Sequence, residues 1–262
     1  MGRRLGQHFL NRKSTLNHIA ESACGERTPL VIEIGAGRGA LTESLLERAD
    51  KVVAIELDPV LIHYLRQKFR DALDAGRLVL IESDILKTDL RAWGQAVIAG
   101  NLPYYITSPI LERLFAASAS WKLAVILVQA EVAARIVAQP GRRDYGYLSV
   151  LVQAQARAER LFEVPRTSFR PPPKVDSAVV RLEPMDAGIG DLSSFLKFTG
   201  NCFRYKRKTL RNNLAGLYDR LAVEALIGPK DRAEALSVAE LAHLFAALRE
   251  ALTTPRAVVY PT

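Results

Sequence analysis

Apolar residues recur along the first part of the chain in short β-branched runs, and between the runs they fall at helical spacing. Runs at 30–34, 52–56, 78–82, 96–99 and 123–128 are bounded by glycine, polar or acidic positions and predict buried strands. The segments between them predict helices over 13–23, 40–48, 59–69, 108–116 and 131–137. In the first of these, Leu16, Ile19, Ala20 and Ala23 share one face, and Pro59 suits a first helical turn. Strand and helix in alternation imply a mostly parallel sheet covered by helices, an α/β class. An apolar, helical stretch at 148–156 follows, then a last pair of strands at 161–164 and 177–182. The connection between that pair carries Pro171, Pro172 and Pro173, which stiffen it and suit it to presenting Phe169 at a fixed place. Residues 183–191, with Pro184 and two glycines, read as a linker. Beyond them the pattern is helical throughout, over 192–203, 206–218, 221–227 and 238–252. The expected organisation is a sheet domain over 1–185 and a small all-α domain over 186–262.

The first strand runs into three glycines at alternate positions, Gly35, Gly37 and Gly39, before helix resumes at Ala40. Without Cβ atoms the turn can take positive φ and let a flat cofactor lie against the backbone. The pattern satisfies the dinucleotide fingerprint, with Ala40 at its last position, and it equally suits S-adenosylmethionine. Glu56, about 20 residues on at the end of the second strand, can accept from ribose hydroxyls of either. Glu33, an acid inside the first strand, sits poorly beside a pyrophosphate and well beside an ammonium, which favours the sulfonium cofactor; the plainer reading is a cap on local amides. Asp84 ends the third strand, where it can accept from an adenine amino group or cap a turn. Asn101 ends the fourth. Ligands in such sheets bind outside the carboxyl ends of the strands, so Gly35, Glu56, Asp84 and Asn101 are expected around one crevice.

Charge adds a partner. The chain of 262 residues is 49% hydrophobic, enough for a full core, and carries a net +8. Residues 1–20 (Arg3, Arg4, Arg12, Lys13) and 197–211 (Lys197, Arg204, Lys206, Arg207, Lys208, Arg211) contain no acid and hold +10 between them. Such segments suit a polyanion, and a nucleic acid is the polyanion expected; the plainer reading is a solvated face. Cys24 and Cys202 are far apart and belong to no C-x-x-C motif or cluster with the histidines, so no disulfide or zinc framework and no metal are expected. No apolar run reaches about 18 residues and the start has no signal-type core, so a cytoplasmic protein without membrane contact is expected, with an organellar presequence as the alternative for the Arg-rich start.

Asn101-Leu102-Pro103-Tyr104 carries candidate chemistry. An amino group conjugated to a ring is a poor nucleophile because its lone pair is delocalised. The Asn101 amide oxygen and the Leu102 carbonyl, turned outward because Pro103 restricts the residue before it, can accept both amino hydrogens and localise that pair. Tyr104 can stack on the base and favour a nearby cation. As a bland alternative, Asn and Pro are ordinary turn residues.

GQHFL at 6–10, EIGAGRGALT at 33–42, IELD at 55–58, SDIL at 83–86, NLPY at 101–104, YGYLSVLVQ at 145–153, FRPPPKVDSAVVRL at 169–182 and KRKTLRNNL at 206–214 together resemble the small-subunit ribosomal RNA adenine dimethyltransferases over nearly the whole chain. The resemblance implies a class I methyltransferase (Rossmann-like) seven-stranded sheet with a helical C-terminal domain. It implies S-adenosylmethionine held by His8, Leu10, Gly35, Gly37, Glu56, Leu57, Asp84, Ile85 and Asn101, and an adenine pocket of Asn101–Tyr104 with Phe169. RNA contacts are expected from Arg204, Lys206, Arg207, Lys208 and Arg211. The implied reaction is dimethylation of the exocyclic nitrogen of two adjacent adenosines in the 3′-terminal hairpin of small-subunit rRNA, carried out by a monomer on an immature small subunit. His8 and Tyr105 stand where the family often has Asn. The alternatives are a large-subunit rRNA methyltransferase conferring antibiotic resistance, which usually has Ile in place of Leu102, a transcription-factor role without catalysis, and an NAD-dependent oxidoreductase. An intact NLPY argues against the second, and the lack of a separate reducing constellation argues against the third.

Overall fold

A computed structural model describes residues 8–253. Arg3, Arg4 and the first two residues of the GQHFL motif lie outside the described residues. Two compact units divide the chain: Met1–Val137 with Gln155–Met185, and Ala138–Ala154 with Asp186–Thr262.

The first unit contains strands β1 (Phe9–Leu10), β2 (Thr28–Ile34), β3 (Ala49–Glu56), β4 (Leu78–Glu82), β5 (Ala96–Asn101), β6 (Trp121–Gln129), β7 (Ala156–Val164), β8 (Phe169–Arg170) and β9 (Ser177–Pro184). Its helices are α1 (Lys13–Cys24), α2 (Ala40–Leu46), α3 (Pro59–Lys68), α4 (Arg70–Asp74), α5 (Thr107–Ala116) and α6 (Ala130–Val137). Seven strands form one sheet in the order β4-β3-β2-β5-β6-β9-β7, the expected seven-stranded class I arrangement. The first five run parallel; β9 enters antiparallel between β6 and β7. The strands flanking the switch point read as continuous apolar runs because both sheet faces are covered: Val31, Ile32, Val52, Val53, Ile98 and Ala99 are all within 1% of full burial. Edge strand β7 instead exposes Arg157, Glu159, Arg160 and Glu163 in part or whole, charges that discourage further strand addition.

After β2 the chain leaves β3 through hydrogen bonds from the Gly35 and Ala36 N–H groups to the Ile55 carbonyl. Gly35, Gly37 and Gly39 all take positive φ. At Gly39 no other residue would do, since a Cβ there would lie 2.4 Å from the Phe69 ring and 2.7 Å from Leu65. Helix α3 starts where the sequence directs it: Asp58 accepts from the Val60 N–H at 2.9 Å and Pro59 occupies the first turn.

The second unit consists of α7 (Tyr147–Gln153), α8 (Leu192–Cys202), α9 (Leu210–Leu214), α10 (Arg220–Leu226) and α11 (Val238–Thr253). Its core joins Tyr145, Val150 and Ala154 to Phe195, Phe198, Leu210, Leu241 and Phe245. That packing corrects the expected unit of 1–185: residues 138–154 leave the sheet's unit because their apolar face belongs to the helical core. The helix expected over 206–218 also contracts to α9. Asn213 accepts from the Tyr205 N–H and donates to the Cys202 and Tyr205 carbonyls, so its side chain satisfies a turn over 203–209 that a helix would have paired internally.

Candidate active site

At the carboxyl ends of β2, β3, β4 and β5 lies a cavity of about 520 Å³. Gly35, Glu56, Asp84 and Asn101 all line it, as the strand ends required, together with His8, Gly37, Leu57, Ile85, Leu102, Pro103 and Tyr104. A neighbouring cavity of about 430 Å³ shares Phe9, Gly35, Gly37 and Asn101 with it and is lined further by Leu10, Glu33 and Arg38. The glycine turn thus forms a wall common to both.

Each acid has a defined local duty. Glu33, 1% exposed, accepts from the Thr42 hydroxyl at 2.6 Å, and the Thr42 main-chain N–H also meets its carboxyl, so the plainer amide-cap reading holds in part. Burial pushes its carboxyl up to about 7, and the nearby negative charge of Glu56 adds to that. Glu56 accepts from three main-chain N–H groups, Gly37 on one oxygen at 2.8 Å and Leu57 and Asp58 on the other at 2.9 and 3.0 Å. It therefore ties the glycine turn to the end of β3, a role the sequence did not reveal. A carboxylate offers about four acceptor positions, so one remains for a hydroxyl. Asp84 accepts from the Leu86 N–H with one oxygen, the turn cap, and its other oxygen has no partner among the described residues.

Over this wall lies the first described segment. Strand β1 pairs antiparallel with β8, His8 donates from Nδ1 to the Pro171 carbonyl at 2.8 Å, and Asn101 donates to the His8 carbonyl at 3.1 Å. Phe9 packs against Gly37, where a Cβ would come within 3.2 Å of its ring, and Arg38 lies 4.9 Å over that ring. His8 thus contributes a backbone carbonyl and a ring fixed to the proline connection.

The donation from Asn101 to His8 leaves its Oδ1 buried and without a partner. Beside it, the Leu102 N–H is fixed to the Leu127 carbonyl at 3.0 Å, while the Leu102 carbonyl accepts nothing among the described residues. Two unfilled acceptors at the end of β5 are what a two-hydrogen donor requires. Tyr104 is held by a 2.6 Å hydrogen bond to the Ser177 hydroxyl at the start of β9. Tyr105, at the position of the family's frequent Asn, is 62% exposed at the cavity rim.

Phe169 corrects the expectation. It is 1% exposed, belongs to the main core with Leu10 and Val179, and lines neither cavity, because pairing of β8 with β1 turns it inward. The proline connection instead brings Pro172, Pro173 and Lys174 to the cavity. Gln129, at the end of an apolar run, also lines it and carried no sequence signal beyond its place at a strand end.

The basic residues expected to hold RNA divide into two groups. Arg204, Lys206, Arg207 and Lys208 are exposed on the 203–209 turn, with Arg204 lying over the Tyr205 ring. Arg211 donates to the Ile227 and Glu224 carbonyls at 2.6 and 2.9 Å, and so closes the end of α10. Among the described residues no group of acidic, His or Cys side chains could hold a metal, and no helix is long and apolar enough to cross a membrane.

The sheet order, the glycine wall and the orphaned Asn101 oxygen define a class I S-adenosylmethionine-dependent methyltransferase. Comparison with known proteins narrows the class. The family model for ribosomal RNA adenine dimethylase matches residues 2–250, and the chain belongs to that family. It is 41% identical over 260 residues to ribosomal RNA small subunit methyltransferase A of Acidobacterium capsulatum, covering 94% of this chain and 91% of the relative. Identity to the protein of the same name from Koribacter versatilis is 42% over 268 residues, covering 94% of each. Among solved structures, a dimethyladenosine transferase from Plasmodium falciparum superposes with a TM-score of 0.79 at 26% identity, over 93% of this chain and 98% of that one. The 23S rRNA methyltransferase ErmE gives 0.71 at 27% identity, over 92% and 99%. Family membership sets aside the NAD-dependent oxidoreductase.

Proposed function

We propose that this enzyme dimethylates the exocyclic nitrogen of two adjacent adenosines in the 3′-terminal hairpin of small-subunit rRNA, acting as a cytoplasmic monomer on an immature small subunit. The observation that carries the chemistry is the buried, unpartnered Asn101 Oδ1 beside the free Leu102 carbonyl. Support for the small-subunit target is the 41–42% identity to relatives of that name, against 27% to the large-subunit enzyme.

S-adenosylmethionine, when bound, supplies an electrophilic methyl group on a sulfonium. Glu33, in the smaller cavity, would meet its ammonium, the remaining lone pair of Glu56 would accept from the ribose, and the free Asp84 oxygen would accept from the adenine amino group, with Leu57 and Ile85 beside it. Gly35 and Gly37 would let the backbone approach the cofactor, and His8 and Leu10 would complete the set that holds it. At the target base, Asn101 Oδ1 and the Leu102 carbonyl accept the amino hydrogens and draw the nitrogen toward tetrahedral geometry. Tyr104, fixed through Ser177, stacks on the ring, and Pro103 holds the Leu102 carbonyl outward. Positioning and fixed dipoles supply the rate. Arg204, Lys206, Arg207 and Lys208 hold phosphates outside the pocket.

The test is transfer to immature small subunits with products resolved by mass and mapped along the rRNA. Two neighbouring dimethyladenosines in the 3′ hairpin are expected. Methylation confined to large-subunit rRNA would overturn the assignment.

A further inference from the structure

Gln129 is the last residue of β6 and lines the larger cavity. In the parallel register of β5 and β6, Asn101 lies opposite Leu127, and Gln129 is two positions further on, about 7 Å along the strand and on the same sheet face. That step carries it past Asn101 and alongside the Leu102–Tyr104 segment, which is tied to β6 by the Leu102–Leu127 hydrogen bond. On its other side Gln129 pairs with Ser177, whose hydroxyl holds Tyr104. The backbone beyond is fixed as well, by donation from the Ala130 N–H to the Asp176 carbonyl at 3.0 Å. Neighbours thus position the residue closely, yet no group among the described residues hydrogen-bonds its amide. A half-buried amide with open valences, beside the unfilled Asn101 Oδ1 and Leu102 carbonyl acceptors, supplies a neutral donor held on the sheet, whereas the Lys174 and Tyr105 donors stand exposed at the rim.

We propose that Gln129 donates from Nε2 to N1 of the target adenine and is a specificity-determining residue of the pocket; the inference rests on the adenine reading above. With both hydrogens of the exocyclic nitrogen directed at Asn101 and Leu102, the adenine presents N1 on the same edge, one bond further round the ring. N1 is a lone-pair acceptor and pairs with an amide donor. Guanine fails at the first place, where its O6 meets two acceptors; at the second, Gln129 would have to turn its amide to offer Oε1 to the N1–H. Asn101 and Leu102 thus select an amino group, and Gln129 engages the unprotonated ring nitrogen beside it. The first methyl leaves N1 unchanged, so the same contact orients the base for the second transfer.

The test uses the full chain with S-adenosylmethionine and small subunits reassembled on rRNA whose target adenosine is left natural or replaced by 1-deazaadenosine or 7-deazaadenosine. Single-turnover transfer is measured for the wild type, Gln129→Leu and Gln129→Glu. For the wild type, 1-deazaadenosine should react about 10-fold more slowly than adenosine and 7-deazaadenosine at nearly the natural rate. Gln129→Leu should slow adenosine by about 10-fold and leave 1-deazaadenosine where it was, because the contact is already gone. Gln129→Glu should be slower still on adenosine at neutral pH, since a carboxylate then faces a lone pair. Equal losses on adenosine and 1-deazaadenosine in Gln129→Leu, or no loss on adenosine, overturn the inference. If that variant does not fold, a wild type that treats 1-deazaadenosine and 7-deazaadenosine alike overturns it instead. A wild type that transfers no methyl to natural adenosine overturns the adenine reading itself.

Discussion

Glu33 makes stability depend on pH in a direction opposite to that of most paired carboxylates. Its carboxyl is moved from 4.5 to about 7, chiefly by burial at 1% exposure, and the Thr42 hydrogen bond only partly opposes this. That displacement corresponds to about 3 kcal/mol. Because the folded value is raised, the folded state binds a proton more tightly than the unfolded chain. The contribution is therefore complete below pH 4.5 and is lost as pH rises through about 7. Glu33→Gln keeps an acceptor for Thr42 and removes the titration. Urea unfolding of both proteins at pH 4.5 and pH 8 gives four free energies. The fall in stability between the two pH values should be larger in the wild type by about 3 kcal/mol, whatever other groups contribute equally to both. Saturating S-adenosylmethionine should flatten the wild-type difference, since an ammonium facing Glu33 favours the carboxylate. Equal pH dependence in Glu33→Gln and wild type would show that the carboxyl titrates normally and is hydrated, contrary to its burial.

Asn101→Ala should lower single-turnover transfer by about 100-fold or more while changing RNA affinity little, because phosphate contacts dominate binding; near-normal turnover would move nucleophile activation elsewhere. Glu56→Ala should weaken S-adenosylmethionine binding by about 1–3 kcal/mol, and it should also lower the melting temperature, since three main-chain N–H groups lose their acceptor; calorimetry with unchanged affinity and a thermal scan with unchanged midpoint would refute the two roles separately. Charge reversal at Arg204, Arg207 and Lys208 should flatten the salt dependence of rRNA binding and leave cofactor affinity intact, a result read from binding isotherms at several salt concentrations. Arg211→Ala should act differently, destabilising the fold by about 1–3 kcal/mol through the carbonyls it leaves unpaired, as urea unfolding would register.

Much of the site was legible because strand ends in a parallel sheet share one edge. Once five apolar runs alternate with helices, Gly35, Glu56, Asp84 and Asn101 have one place to go, and all four line the same cavity. The errors arose where side chains compete with local pattern. Residues 206–218 have helical spacing, yet Asn213 rewards a turn by hydrogen-bonding Cys202 and Tyr205, two residues no periodicity connects to it. Phe169 follows the same logic. A stiff connection fixes where a residue sits along the chain, but pairing of Leu10 with Phe169 decided which way the ring faces.

The sequence by itself determined the strand and helix succession, the glycine turn, the start of α3 at Asp58-Pro59 and the NLPY end of β5, because each depends on residues within one turn or one strand of each other. Tertiary structure alone decided that Glu56 ties the glycine wall to β3, that the Asn101 amide is oriented by the His8 carbonyl 93 positions away, and that Gln129 stands beside Tyr104 through Ser177. Those outcomes depend on hydrogen-bond valences filled by groups remote in the chain, and only closure of the sheet brings such groups within reach of one another.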